Sequence, residues 1–197
     1  TLSYGVLNKM ANRLAWYLTQ DLGLHLGDRV AVLADSCLEY MVLFAAAQKT
    51  GLVLVPLNYR LSAPEIDYSL QDSTPSLILA ETKYQSLLDA APTTPNIEQH
   101  WSIEALGLWL EAAAEQPEWP YTPTFLDDDH PIFILYTSGT TGFPKGALYT
   151  HKMLFWNSIN TSMSLVINSH SRTVVCMPPF HTGGWNVLTT PILHHGG

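Results

Sequence analysis

Along the first ninety residues, segments with hydrophobic positions at helical spacing alternate with short runs that are hydrophobic throughout. Five apolar residues near the N-terminus recur at helical spacing and predict a helix; they are Leu7, Met10, Ala11, Leu14 and Leu18. Three short apolar runs follow, "VAVLA", "LVLVPL" and "SLILA", and each predicts a strand that is buried on both faces. Helices and buried strands in alternation predict an α/β fold, doubly wound, with mainly parallel sheets covered by helices.

Capping patterns predict where two of the helices begin. Ser36 and Glu39 form an S-x-x-E pattern before "CLEYMVLFAAAQKT", and Ser62 and Glu65 repeat it further along. Gly51 occupies the position at which a helix commonly ends. We therefore expect capping boxes at both serines.

The second half of the chain is less regular. Residues 91–130 are rich in proline and end in an acidic run, so we expect a solvated surface connection there, interrupted by one helix at about 103–115. Beyond it, the patterns predict a strand "IFILY", a short extended "ALYT", a helix from His151, a strand "RTVVCM", a loop "PPFHTGG" and a helix that Pro191 bends. The predicted apolar face of the helix from His151 consists of Phe155, Ile159, Met163 and Val166.

Composition limits the classes of partner. A chain of 197 residues with 47% hydrophobic residues can bury a sizeable core, as one large domain or as part of a larger one. The 17 acidic residues outnumber the 9 lysines and arginines, which argues against a nucleic-acid partner. A single bound nucleotide remains compatible with this charge, because a local loop can hold phosphate in an acidic protein.

The sequence also bears on the cellular compartment of the protein and on whether the chain is part of a longer protein. Cys37 and Cys176 lie far apart in apolar contexts, so we expect two buried free thiols in a reducing compartment and a cytoplasmic location. No apolar run approaches membrane-spanning length, and no signal peptide is recognisable. The chain begins at Thr1 and ends "HHGG", from which we expect a piece of a longer protein.

One stretch, "YTSGTTGFPKG" from Tyr136 to Gly146, combines glycines, hydroxyl side chains and a lysine. Glycines allow positive φ, and successive backbone N–H groups in such a loop can form a concave anion site. The hydroxyl groups add donors, and Lys145 supplies a flexible positive charge that suits phosphate. The stretch therefore predicts a loop that binds a polyphosphate.

Three known motifs, which differ in spacing, and a flexible polar turn are the alternative interpretations of this loop. A Walker A loop requires glycine before the lysine, where this chain has Pro144. A dinucleotide fingerprint requires G-x-G-x-x-G, which Gly139 and Gly142 do not supply. A nucleophile elbow requires glycines on both sides of Ser138, where Tyr136 and Thr140 stand. The fourth, a flexible polar turn, does not account for so many ordered matches beside a lysine.

The stretch resembles the phosphate-loop signature of the adenylate-forming superfamily, which includes the AMP-binding acyl-CoA synthetases. "ALYTH", "PPFHTGG" and the N-terminal "LSYGVLNKMANRLAWYL" and "GLVLVPLNYRLSAPEI" are similar to the same family, so the resemblance covers nearly the whole chain. It implies ATP-dependent activation of a carboxylic acid as an acyl adenylate, followed by thioester formation with CoA. The cofactors and partners implied are ATP, Mg²⁺, CoA and a small-molecule carboxylic acid.

The resemblance also implies roles for individual residues. The loop residues that would bind the β- and γ-phosphates are Thr137, Ser138, Gly139, Thr140, Thr141, Gly142 and Lys145. Lys145 and His181 are the expected catalytic residues, with His181 at the carboxylate end of the acyl pocket. Gly183, Gly184 and Trp185 are the expected substrate-binding residues, although Trp185 has ordinary core packing as an equal alternative.

The acid itself is left open by these residues. The family members that activate amino acids have an aspartate where this chain has His181, so an α-amino acid is disfavoured. A fatty acid is the leading expectation, with an aryl or other small acid as the alternative. A P-loop NTPase is remote because the Walker spacing fails, whereas a non-catalytic truncated relative used for binding stays open.

The resemblance places this chain within an incomplete AMP-binding domain that spans residues 1–197. It implies one lobe at about residues 36–155, a second at 1–35 plus 156–197, and a C-terminal domain that is absent. The adenine, ribose, metal and CoA sites would lie beyond residue 197, so no metal ligand is expected here. We expect the chain alone to be catalytically inert, to bind ATP weakly at best, and to self-associate through exposed sheet edges as a possible homo-oligomer.

Overall fold

A computed structural model describes residues 2–113, 125–137 and 144–197. The strands are β1 (Arg29–Leu33), β2 (Val53–Pro56), β3 (Leu77–Ala80), β4 (Gln99–Ser102), β5 (Pro131–Thr137) and β6 (Lys145–Thr150). The α-helices are α1 (Tyr4–Trp16), α2 (Leu38–Thr50), α3 (Ala63–Ser73), α4 (Gln85–Asp89), α5 (Ile103–Ala113), α6 (His151–Leu165), α7 (Thr182–Asn186) and α8 (Thr189–His195). A π-helical segment, Tyr17–Asp21, continues α1, and short 3₁₀ turns occur at Thr82–Tyr84 and Thr94–Asn96.

The six strands form one sheet in the order β4-β3-β1-β2-β5-β6. Every neighbouring pair of strands is parallel except the pair β5–β6, which forms an antiparallel hairpin. Val30 of β1 lies in register with Leu54 of β2 on one side and with Leu77 of β3 on the other. Strand β1 is therefore an interior strand, and the order in which the chain adds strands to the sheet changes side at β1. The predicted α/β fold with a mainly parallel sheet is confirmed.

Alternate residues of the strands enter two separate hydrophobic cores. Val30 and Val32 of β1 point to the core formed with α1, α2 and α5. Ala31 and Leu33 point to the opposite core, formed with α3 and α4. Because successive side chains on a strand face opposite sides, strands with no polar position are what a sheet covered on both faces requires.

One of the two predicted capping boxes is present. At the start of α3, the Ser62 N–H and hydroxyl both donate to Glu65 Oε2, at 2.9 and 2.6 Å, and the reciprocal bond completes the box. The prediction at Ser36 is wrong, because α2 begins one residue later with Cys37 as its N-cap and has no side-chain cap. Gly51 ends α2 as predicted, with a left-handed φ of 72°.

Two predictions about strands are corrected. Residues 91–130 were expected to be a surface connection around one helix, yet β4 pairs in parallel with β3 and forms one edge of the sheet. The segment "RTVVCM" is not a strand, because residues 172–177 have no ladder partner among the described residues and Val174 is 85% exposed. Apolar composition alone does not make a strand when no neighbouring strand is there to pair with it.

The predicted apolar face of α6 is also wrong. The residues of α6 that are buried are Leu154, Ser158 and Ser162, whereas Phe155 and Met163 are exposed. The Ser158 hydroxyl forms a 2.9 Å hydrogen bond with Nδ1 of His194 on α8, so a polar contact sets which side of α6 is covered. The final predicted helix is divided into α7 and α8 around Val187 and Leu188, before Pro191 rather than at it.

The sheet bears on the expected division of the chain into two lobes. Strand β1 shares its sheet with β2, β3 and β5, so the expected boundary near residue 36 falls within one layered unit, and the division into lobes stays a prediction.

Both cysteines are free, but Cys37 is half-buried and Cys176 is exposed, which corrects the expectation of two buried thiols. Within the described ranges, no helix combines the length and apolar character needed to cross a membrane.

Candidate functional site

The lysine-containing loop is the connection of the β5–β6 hairpin. Thr137 at the end of β5 lies directly opposite Lys145 at the start of β6. The loop residues between them, namely Ser138, Gly139, Thr140, Thr141 and Gly142, lie outside the described residues. Of the predicted phosphate-binding set, the structure therefore places Thr137 and Lys145, and it brings them to the two ends of one short loop.

The base of this hairpin is fixed to helix α3. The Tyr136 hydroxyl donates to Oδ2 of Asp72 at 2.7 Å and lies 3.2 Å from the carbonyl of Ser69. Burial, together with the bond to Asp72, raises the pKa of the Tyr136 phenol above its usual value, so Tyr136 is a neutral donor at physiological pH. On the partner strand, a Cβ at Gly146 would lie 2.8 Å from Cγ2 of Ile134, so a larger residue there would displace the Ile134 side chain. The hydrogen bonds of Tyr136 fix the β5 end of the loop to α3.

Lys145 is available to an anion. It is exposed at the start of β6, and no ion pair joins it to a carboxylate within the described parts of the chain. An ammonium group that has no carboxylate partner can neutralise a phosphate without first breaking an ion pair. Thr137 and Lys145 can thus offer a hydroxyl group and an ammonium group to an anion, and binding of a polyphosphate by this loop stays a prediction.

The second predicted segment, "PPFHTGG", forms a tight turn that opens α7. His181 is the N-cap, and its Nδ1 accepts a hydrogen bond from the N–H of Gly183 at 3.2 Å. The turn is closed by two backbone bonds, from His181 N–H to the Pro178 carbonyl and from Gly184 N–H to the His181 carbonyl. The His181 residue is exposed, and the bond from the Gly183 N–H fixes the orientation of its ring, while a catalytic role for His181 stays a prediction.

Gly183 and Gly184 are both buried in this turn. A Cβ at Gly184 would approach the Pro178 carbonyl oxygen to 2.4 Å, and one at Gly183 would meet the Met177 side chain. The close approach of the chain to itself therefore accounts for Gly184. A role for either glycine in binding substrate stays a prediction.

Trp185 is a core residue in this structure. It is 2% exposed, and its Nε1 donates to the Pro179 carbonyl at 2.7 Å. Its ring lies 5.4 Å from that of Tyr40, 4.8 Å from Phe44 and 4.9 Å from Phe133. Of the two interpretations of Trp185, core packing is what the structure contains, and the part played in an acyl tunnel stays a prediction.

A cluster that the sequence analysis missed lies where β1, β2 and β3 end. Lys83 bridges Asp35 and Glu81 at 2.5 and 2.6 Å. The hydrogen bond from Lys83 lowers the pKa of Asp35. The position of these residues directly after parallel strands was the available signal, since ligands of open α/β sheets bind at this edge.

The same edge holds the "PPFHTGG" turn in place. The Phe180 ring packs edge-on against Tyr59, with 5.0 Å between centroids, and the Arg60 guanidinium lies 5.7 Å from the Phe180 centroid. Tyr59 also stacks on Tyr84. His181 is thus positioned at the carboxyl edge of the sheet by its neighbour Phe180.

Two cavities adjoin these elements. A cavity of about 720 Å³ lies among α1, α2, α6 and α8. Its apolar lining includes Leu7, Phe44, Leu154, Phe155, Trp156 and Leu193, and its polar lining includes Gln48, Asp128, His151, Lys152, Ser158, Thr190 and His194. Burial lowers the pKa of His151, and the nearby His130 lowers it further. A cavity of about 310 Å³ lies between the start of α2 and the turn before α7. Both volumes suit small organic ligands.

No metal site accompanies these features in the part of the chain that the structure describes. There, no group of three or more histidine, cysteine, aspartate or glutamate side chains is arranged to hold a metal ion.

Comparison with protein families shows to which family the chain belongs. The family model described as "AMP-binding enzyme" matches residues 1–197. The chain belongs to this family. The relatives that it matches include acid–CoA ligases and a fatty acid–acyl-carrier-protein ligase.

Two curated relatives illustrate the range of this AMP-binding family. A feruloyl-CoA synthase of Amycolatopsis is 35% identical over 196 residues, which are 100% of this chain and 38% of the relative. A long-chain-fatty-acid–CoA ligase of Mycobacterium tuberculosis, FadD13, is 34% identical over 195 residues, or 97% of this chain and 37% of the relative. The chain therefore spans less than two-fifths of the length of these relatives.

Solved structures agree with the fold. The N-terminal domain of FACL13 from Mycobacterium tuberculosis, bound to an inhibitor, superposes with a TM-score of 0.85 and 31% identity, covering 99% of this chain and 48% of that one. ATP-bound MatB from Rhodopseudomonas palustris superposes with a TM-score of 0.81 and 28% identity, covering 97% of this chain and 38% of that one. The described fold is thus that of the first part of such a ligase.

Proposed function

We propose that the whole protein activates a carboxylic acid with ATP and transfers the acyl group to CoA. The carboxylate would attack the α-phosphorus of ATP, releasing pyrophosphate and leaving an acyl adenylate, whose AMP the CoA thiol would then displace. The observation that carries this proposal is the β5–β6 hairpin, which holds Thr137 opposite an exposed Lys145 that forms no ion pair with any described residue, at the two ends of a loop that resembles the family's phosphate loop. Membership of the AMP-binding family supports it.

The work assigned to these residues is neutralisation of charge. An anionic acid must approach a polyphosphate, so donors and cations have to offset both sets of charge. We assign Lys145, Thr137 and the loop residues 138–142 to the β- and γ-phosphates. His181, with its ring fixed by the bond from Gly183, is assigned to the carboxylate end of the acid. Mg²⁺ would accompany the ATP, with ligands from outside this chain.

The acid is proposed to be apolar along most of its length. The walls of both cavities are largely apolar, and Phe180, His181 and Thr182 offer no carboxylate to pair with an ammonium group. A fatty acid is the leading candidate, in keeping with the similarity to FadD13. An aryl acid is the second, in keeping with the similarity to a feruloyl-CoA synthase.

The test is pyrophosphate exchange by the whole protein with Lys145→Ala. Loss of a charge-stabilising donor should slow exchange about 100-fold. Lys49→Ala is the matched control, because the Lys49 ammonium contacts Asn8 on the opposite side of the fold and should leave exchange unchanged. An unchanged rate in Lys145→Ala would refute the assigned role. Release of ADP instead of AMP would refute the reaction class.

A further inference from the structure

The segment around His181 contacts the rest of the fold on both sides of that residue. On the C-terminal side, Trp185 is buried in the core formed with α1, α2 and α5, and its Nε1 donates to the Pro179 carbonyl at 2.7 Å. On the N-terminal side, the Phe180 ring meets the Tyr59 ring edge-on, with an interplanar angle of 85°. His181 itself is exposed, so these neighbours rather than its own packing set its position.

The backbone around Tyr59 is fixed by the end of β2. The Leu57 N–H donates to the Val32 carbonyl at 2.8 Å, which extends the pairing of β2 with β1 beyond the last residue of β2. The side-chain oxygen of Asn58 accepts a hydrogen bond from the Arg60 N–H at 3.0 Å and closes a turn around Tyr59. The loop that carries Tyr59 is thus attached to an interior strand of the sheet.

The side chain of Tyr59 is held by residues that follow β1 and β3. Its ring stacks on that of Tyr84, with 4.9 Å between centroids and an interplanar angle of 7°. The Tyr84 hydroxyl donates to Oδ1 of Asp35 at 3.2 Å, and the Tyr59 hydroxyl also hydrogen-bonds Asp35. The bond from Lys83 to the other carboxylate oxygen lowers the pKa of Asp35, so Asp35 is an ionised acceptor at physiological pH.

A continuous series of contacts therefore joins the edge of the sheet to His181. Asp35 follows β1, Tyr84 follows β3 and Tyr59 follows β2, and these three strands are neighbours in the sheet. An edge-to-face aromatic pair has a preferred geometry, because the positive edge of one ring meets the negative face of the other. Loss of the Tyr59 ring would release Phe180, and a shift of about 1 Å in a positioned group can cost about 100-fold in rate.

We propose that Tyr59 is a positioning residue for His181. In the reaction proposed above, on which this role rests, the ring of Tyr59 holds Phe180 in place and so keeps the imidazole of His181 at the carboxylate end of the acid. Tyr59 acts only through Phe180 and does not touch the substrate. The ring carries this role, whereas the hydroxyl group and Asp35 only orient the ring.

The first experiment measures kcat for pyrophosphate exchange by the whole protein. Tyr59→Ala should lower kcat about tenfold, the upper end of what one aromatic pair contributes, and Tyr59→Phe should restore it because the ring is kept. Tyr17→Ala is the matched control, since Tyr17 is also half-buried and packs against Trp101 and Trp109 near β4, and it should leave kcat unchanged. Wild-type kcat in Tyr59→Ala, or equal losses in Tyr59→Ala and Tyr59→Phe, would overturn the proposal.

The second experiment asks whether Tyr59 acts through His181. In a His181→Ala background, Tyr59→Ala should lower kcat by no more than about twofold, because the residue that it positions is missing. A full tenfold loss in that background would assign the effect to another group and refute the role. If Tyr59→Ala does not fold, Tyr59→Leu takes its place, because it keeps an apolar side chain without a ring, and the same losses are expected.

A third measurement needs no catalytic activity. The N–H groups of Gly183 and Gly184 bond to Nδ1 and to the carbonyl of His181, so their hydrogen–deuterium exchange reports on the order of the turn. In the whole protein, mass spectrometry of a peptide spanning residues 178–185 should show about tenfold faster deuteration in Tyr59→Ala. Tyr59→Phe and Tyr17→Ala should both match the wild type.

The outcome is separable from that of the proposed function. If Tyr59→Ala speeds deuteration of the turn but the wild type catalyses no pyrophosphate exchange with any acid, the support of the turn by Tyr59 holds and the ligase assignment fails. If the wild type catalyses pyrophosphate exchange but Tyr59→Ala leaves deuteration of the turn unchanged, the ligase assignment holds and the role of Tyr59 fails.

Discussion

Gly184, within α7, is the glycine of the "PPFHTGG" segment at which an added Cβ would meet backbone rather than a side chain. A Cβ there would lie 2.4 Å from the Pro178 carbonyl oxygen, a rigid neighbour. We expect Gly184→Ala to lower the free energy of unfolding by about 1–3 kcal/mol, as overpacking of a dense site does. Denaturation by urea, followed by tryptophan fluorescence, measures this.

Gly5→Ala is the matched control at the residue scale. A Cβ at Gly5 in α1 would meet the Ser3 hydroxyl at 3.9 Å, an ordinary contact. Because alanine has the higher helix propensity, this variant should be stabilised by up to about 1 kcal/mol. If Gly184→Ala were as stable as Gly5→Ala, the turn would have to be looser than the 2.4 Å approach implies.

The residues of the candidate site differ in how far sequence could predict them. The glycine, hydroxyl and lysine pattern predicted the loop between Thr137 and Lys145, because it is contiguous in sequence. The cluster of Asp35 and Lys83 was not predicted, since it depends on β1 and β3 being neighbours. Trp185 could not be assigned to the core from sequence either, because its partners come from α2 and β5.

At the scale of elements, the cap of α3 is the clearest local determinant. Ser62 and Glu65 form a complete capping box, whereas Ser36 precedes a helix that begins without a side-chain cap. Ser62→Ala should lower the free energy of unfolding by about 1 kcal/mol, and Ser36→Ala should leave it nearly unchanged. Equal losses in the two variants, measured by thermal unfolding, would contradict the assignment of the caps.

The contribution of the α3 cap should also depend on pH. The hydrogen bonds from Ser62 lower the pKa of Glu65 below its usual value. The folded-state pKa is thus below that of the unfolded chain, so the stabilisation is complete above the unfolded pKa and is lost as pH falls through the folded one. The difference between wild type and Ser62→Ala should therefore shrink in acid, and Glu65→Gln should remove this pH dependence.

Elements whose own residues carry the burial pattern were predicted better than elements whose packing is set by distant residues. Strands β2 and β3 are apolar throughout, β1 is apolar after Arg29, and all three were found from sequence alone. Strand β4 was missed because its sequence, "QHWS", is polar, as suits an edge strand with one neighbour. The face of α6 was wrong because the serine–histidine contact with α8 has no signal in the spacing of apolar residues.

For the whole molecule, the sheet joins two cores that differ in what covers them. The core under α1, α2 and α5 also receives Leu154 of α6 and Trp185 of α7, so the residues around the candidate site are part of the packing that holds the fold together. The opposite core, under α3 and α4, draws only on elements before residue 100 and on contacts from Ile134 and Tyr136 of β5. Binding at the site is therefore expected to stabilise the first core directly.

The surface of the molecule predicts self-association of the isolated chain. Val174, Met163 and Val166 are 85%, 75% and 78% exposed, and Leu148 is exposed on the edge strand β6. Exposed apolar side chains and an edge strand that has one neighbour among the described strands both favour contact with a second copy. Sedimentation velocity should therefore detect dimers or larger species as the concentration rises into the micromolar range.

Charge placed on this surface should reverse the association. Val174→Lys combined with Met163→Lys replaces two exposed apolar side chains and should shift the equilibrium to monomer without lowering the unfolding temperature, because neither residue belongs to a core. Ser164→Lys adds a like charge to the same helix while removing no apolar side chain, so it should associate more than the double variant does. If the chain were monomeric at every concentration, the predicted association would be refuted. If Ser164→Lys dispersed the chain as strongly as the double variant, the added ammonium rather than the loss of apolar side chains would be the cause.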